Sequence, residues 1–108
     1  MIRVTVYQRA DKSFRGMRVA GHAGYAPYGQ DIVCAGVSAL MTNLVNSIEK
    51  LTQEHIQAEQ DEARGLMQFR FLKIPGRDAE LLMRSCILGM MAIEREHGKF
   101  IRLTFKEV

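Results

Sequence analysis

The chain has 108 residues, 47% hydrophobic and 25% charged, a composition that fits one small globular domain over residues 1–108 and excludes disorder. Its net charge of +3 is too small by itself to mark a nucleic-acid binder, and its three histidines and two cysteines match no standard zinc spacing. Cys34 and Cys86 make no disulfide framework, no apolar run approaches the roughly 20 residues a membrane span needs, and none follows a basic N-terminus as in a signal peptide. The expectation is a soluble, cytoplasmic protein without metal, cofactor or membrane.

Ile2, Val4 and Val6 alternate with Arg3, Thr5 and Tyr7, the period of a half-buried strand. Ala10–Ser13 reads as a turn and Phe14–Gly21 as the returning strand of a hairpin. Residues 1–18 carry Arg3, Arg9, Lys12, Arg15 and Arg18 against Asp11 alone, so the hairpin is basic. Two readings of that charge stand: solubilising residues at strand edges, or a surface for RNA or an acidic partner.

Gly21 to Gln30 holds three glycines, a proline and two tyrosines and reads as a loop. Asp31 is a good N-cap for an amphipathic helix over about 32–51, with Val33, Val37, Leu40, Leu44, Ile48 and Leu51 on the apolar stripe. His55–Gln60 and Leu66–Leu72 read as strands joined by the turn 61–65. A second helix over about 78–97 begins at Asp78 and ends at Gly98, which would take the left-handed conformation. Apolar residues on several of its sides (Leu81, Leu82, Cys86, Leu88, Met91, Ile93) predict cover from two directions. Ile101, Leu103 and Phe105 form a last strand. The order ββαββαβ gives an α+β fold with two helices packed against small antiparallel sheets. The seven methionines read as core filling.

The chemistry concentrates between His22 and Ser38. Three residues after Asp31, Cys34 falls in the first helical turn, where backbone N–H groups and the helix dipole favour a thiolate. Twelve positions upstream, His22 sits where a strand ends, and the chain must return from there to the helix start. A thiolate, an imidazole and the amides of Val33 and Cys34 as oxyanion donors would suffice for a cysteine peptidase. The bland alternative is a small buried cysteine and a surface histidine. Asp31 is either the cap or a group orienting His22. Ser38, one turn beyond Cys34, either enters the site or bonds back to the Cys34 carbonyl. Cys86, mid-helix among apolar neighbours, reads as an inert core thiol, and His55 and His97 as structural.

The strings Gly21-His22-Ala23-Gly24-Tyr25-Ala26 and Gly29-Gln30-Asp31-Ile32-Val33-Cys34-Ala35-Gly36-Val37-Ser38 closely resemble those of the ribosomal-processing cysteine proteases called Prp. The resemblance runs the length of the chain, although the family often has Ala where Gly36 stands. It implies a catalytic dyad of His22 and Cys34, with Asp31 and Ser38 at positions the family also keeps in its site. It further implies a homodimer that removes the short N-terminal extension of the precursor of large-subunit ribosomal protein number twenty-seven, cutting after aromatic residues. In that scheme Cys34 attacks the scissile carbonyl, His22 protonates the leaving amine and then deprotonates the hydrolytic water. A substrate loop with Gly24, Tyr25, Tyr28 and Gly29 would close over the peptide; the tyrosines either meet its aromatic residues or anchor the loop. The competing readings are a non-catalytic RNA- or ribosome-binding module using the basic hairpin, and a redox sensor built on Cys34.

Overall fold

A computed structural model describes residues 1–21 and 28–108, with the backbone alone for 28–31. The element order is β1 (Ile2–Gln8), β2 (Phe14–Ala20), α1 (Tyr28–Leu51), β3 (Ile56–Asp61), β4 (Leu66–Phe71), α2 (Arg77–His97) and β5 (Ile101–Glu107). The fold is α+β, in the order the hydrophobic periods predict.

The strands do not stay in separate small sheets. They join into one five-stranded sheet in the order β3-β4-β2-β1-β5. β5 lies parallel to β1, with Ile2 beside Ile101 and Val4 beside Leu103, while the other pairs are antiparallel. The reason is connectivity: α2 carries the chain back across the sheet, and a crossover of that length permits parallel pairing. Each strand's period survives, and only its partner is non-local.

Register puts Ile2, Val4, Val6, Met17, Val19, Phe69, Phe71 and Ile101 on one face, all buried. Val33, Val37, Met41, Leu44 and Ile48 of α1 and Ala79, Met83, Cys86, Ile87 and Met90 of α2 join them in a single core. Both helices therefore cover the same face. Against the expectation that no run approaches spanning length, residues 32–51 are long and apolar enough to cross a membrane, at a mean hydropathy of 1.3. Here that helix is a core element with one flank on the sheet and the other bearing Ser38, Thr42, Asn43 and Asn46.

Local details sharpen the boundaries. The first turn forms as expected, with the Ser13 amide and hydroxyl both donating to Asp11 Oδ1, at 2.9 and 2.6 Å. Glu54 accepts a hydrogen bond from the Gly76 amide at the start of α2, and Asp78 and Glu80 complement the dipole there. Gly98 is right-handed (φ −59°) rather than left-handed, because the chain continues one more turn and the Phe100 amide reaches the His97 carbonyl. Glu94 Oε2 accepts from the Leu103 amide at 2.7 Å and ties α2 to the outer edge of β5.

The expectation that α2 is covered from two sides fails within one chain. Leu81, Leu88 and Met91 are 62, 68 and 46% exposed, so its outer flank stays apolar and open.

Candidate active site

β2 ends at Ala20, and the next residue, Gly21, has a φ of +116°, in the region that L side chains rarely adopt. A Cβ there would meet the Met1 carbonyl oxygen at 2.3 Å, so only glycine fits. Its amide donates to the Gly65 carbonyl at 3.2 Å, which pins the end of β2 to the β3–β4 turn. The residue after this fixed point is His22.

α1 returns past the same end of the sheet. Because Val33, Val37 and Met41 face the core, helical geometry rotates Cys34 and Ser38 about one side chain around the axis. Both line a cleft of about 450 Å³. Its floor is Ile2, Val19 and Met41, and its far wall is Asp61 at the end of β3, Glu62 in the turn and Leu66 at the start of β4. Cys34 is half-buried and Ser38 exposed. An apolar floor with acidic groups at the rim can seat an extended peptide side chain against the thiol.

Sequence and structure part company at the helix start. α1 begins at Tyr28, not beyond Asp31, so Asp31 lies inside the helix and does not cap it. Cys34 then occupies the second turn, where the dipole has faded. The amides of Val33 and Cys34 lie past the first four residues and bond to carbonyls one turn back, so they are not spare oxyanion donors. Glycine costs about 1 kcal/mol in a helix, so Gly29 carries a loop signal in the sequence although it lies within α1. His22, Gly24 and Tyr25 lie outside the described residues, as do the side chains of Tyr28 and Asp31, so the His22–Cys34 geometry and the substrate loop fall there too. The acidic wall was missed altogether: Asp61 and Glu62 read only as a turn, and nothing local in the sequence signals that the sheet brings them opposite Cys34.

The second thiol behaves as expected. Cys86 is buried, donates to the Leu40 carbonyl at 3.7 Å, and burial pushes its pKa up to about 11. His97 sits in the last turn of α2 with Glu96 at 4.0 Å, and His55 just precedes β3; neither is among the residues that line the cleft. Among the described residues no group of three or more His, Cys, Asp or Glu side chains could hold a metal ion.

A thiol opening into a peptide-sized cleft on an α+β scaffold defines the general class, a candidate thiol hydrolase. The chain belongs to the cysteine protease Prp family, whose model matches residues 1–102. The ribosomal processing cysteine protease Prp of Staphylococcus aureus is 32% identical over 106 residues, covering 98% of this chain and 100% of that one. A crystal structure of an essential ribosomal processing protease Prp from S. aureus in complex with a substrate peptide superposes with a TM-score of 0.92 at 31% identity, covering 98 and 100% of the two chains. Another, of that protease with a covalently linked product peptide, gives a TM-score of 0.88 at 32% identity with the same coverage.

The two thiols predict a chemical asymmetry. In native protein near pH 8, iodoacetamide should alkylate Cys34 well before Cys86, whose thiolate forms only as pH approaches about 11. Peptide mapping by mass spectrometry checks this; equal labelling rates would contradict the placement.

Proposed function

We propose that this chain is a cysteine endopeptidase that removes the N-terminal extension of the precursor of large-subunit ribosomal protein number twenty-seven, cutting after aromatic residues, in the cytoplasm. The observation that carries the reading is the cleft itself: Cys34 and Ser38 open onto it from α1, beneath the glycine that precedes His22. The covalently linked product peptide in the S. aureus relative supports a covalent route.

In this reading Cys34 attacks the scissile carbonyl as a thiolate, and the imidazolium of His22 gives its proton to the leaving amine as the C–N bond breaks. A thioester remains on Cys34. His22 then takes a proton from water, whose attack releases the new carboxylate and restores the thiolate. Asp31 and Ser38 are supporting candidates, and Gly24, Tyr25, Tyr28 and Gly29 belong to the segment that would meet the substrate. The apolar floor of the cleft suits an aromatic side chain, consistent with that specificity.

We also assign a second copy of the chain to the open flank of α2. Leu81 and Leu88 border a depression of about 420 Å³ with Phe14 and Phe105, a surface whose burial would complete the cover that the helix's sequence calls for. Leu88→Glu should convert a dimer to a monomer by sedimentation equilibrium. A wild type that sediments as a monomer at every accessible concentration would rule out this use of the flank.

The activity is tested by mass spectrometry of the ribosomal precursor after incubation with wild type and with Cys34→Ala. Loss of the extension with wild type alone is expected. Cleavage by both proteins, or by neither when the protein is folded and the precursor authentic, would overturn the proposal.

A further inference from the structure

The outer face of the sheet carries a charge pattern that neither the core nor the cleft uses. Register sets Arg3 beside Arg102, Arg18 beside Thr5, Lys106 beside Tyr7 and Arg70 beside Gly16. These positions alternate with the core residues Val4, Val19, Leu103 and Phe69, so their side chains leave the sheet opposite the helices. On β5, β1, β2 and β4 this face bears no carboxylate; acids begin at the β3 edge with Glu59, which accepts from Gln68 at 3.0 Å. Among the described residues the one ion pair is His97 with Glu96, so none of these five cations is paired with a described carboxylate.

Edge protection does not explain the pattern. Arg102 and Lys106 lie on the edge strand β5, but Arg3, Arg18 and Arg70 lie on interior strands. Like charges side by side destabilise a sheet, and Arg3 sits directly beside Arg102. Arg70 donates from Nε to Gln57 Oε1 at 2.8 Å, whereas setting Arg3 against Arg102 costs the fold something, which is expected of a surface built for an anion.

The relief and chemistry narrow the anion. Tyr7, half-buried, joins Arg15, Gln57, Gln68 and Arg70 around a depression of about 820 Å³, with Glu59 and Val108 at its margin. An aromatic ring and guanidinium planes on an open sheet are stacking partners for an unpaired base. Thr5 and Thr104 add hydroxyls between the cations. A lipid surface would instead call for apolar side chains to insert, and Tyr7 is the one large ring on this face.

We propose that this sheet face binds single-stranded RNA, with phosphates over Arg3, Arg18, Arg102 and Lys106 and a base in the depression beside Tyr7 and Arg70. The proposal does not rest on the peptidase reading, and binding should be unchanged by Cys34→Ala.

Fluorescence anisotropy with a labelled mixed-sequence RNA of roughly 20 nucleotides tests it on the full chain. Wild type should bind with a log–log salt slope of about −2.8 if four phosphates are engaged. The triple variant R3Q/R18Q/R102Q should lose at least about tenfold in affinity near 0.1 M salt, with the slope shrinking by about two. The control K50Q/K73Q/R77Q removes the same charge elsewhere and should stay close to wild type. No binding by wild type, equal losses in both triple variants, or equally tight binding of polyglutamate or of vesicles of equal parts phosphatidylcholine and phosphatidylserine would overturn the proposal. Should the face variant not fold, wild type alone decides the matter through crosslinking to 4-thiouridine RNA. Crosslinks on β1, β2 and β5 are expected, and crosslinks confined to the helices would refute the assignment.

Discussion

Everything at the cleft depends on how α1 is seated. Val33, Val37, Met41, Leu44 and Ile48 are nearly inaccessible to solvent and lie on one stripe of the helix, against the sheet. Burying each side chain is worth roughly 1.5–3 kcal/mol before entropy is counted, so the helix has one strongly preferred rotation about its axis. That rotation is what turns Cys34 and Ser38 towards the cleft. A slip of a single residue would move the thiol by about 100° and out of the cleft. The core, in this protein, is the device that aims the candidate nucleophile.

The other wall depends on the sheet. Gly21 can take its φ of +116° and approach the Met1 carbonyl only because it lacks a side chain, and its amide holds the Gly65 carbonyl. Those contacts place the β3–β4 turn, with Asp61 and Glu62, across from α1. The two thiols illustrate how environment sorts chemically identical groups. Burial among apolar neighbours raises the pKa of Cys86 to about 11 and makes it a packing residue, whereas Cys34 opens onto a groove.

Much of this was legible in the sequence, and the failures have a common cause. Period-2 alternation located β1 and β5, and the spacing of Val33, Val37, Leu44 and Ile48 located α1, because those signals are local. The same spacing put Ser38 on the Cys34 side, away from the stripe. What a local pattern cannot carry is the partner of each strand, so the single mixed sheet and the parallel β1–β5 pair came only from the structure. The start of α1 differs from the expectation because Asp31 looks like a cap and Gly29 like a loop, while the helix begins at Tyr28. That error took with it the argument that helix-start amides at Val33 and Cys34 serve the oxyanion. The acidic wall was invisible for the non-local reason again, and the outer flank of α2 read as covered because a sequence does not say whether the cover belongs to the same chain.

In the proposed reaction the cleft-facing thiol is the nucleophile and the buried one a bystander. That assignment is tested most directly by quenching the wild-type protein with precursor peptide during turnover and mapping any covalent adduct by mass spectrometry. An acyl group on the peptide containing Cys34, absent after Cys34→Ala, is the predicted result. Hydrolysis that continues in Cys34→Ala, or an acyl group found on Cys86 or on any other residue, would contradict the account.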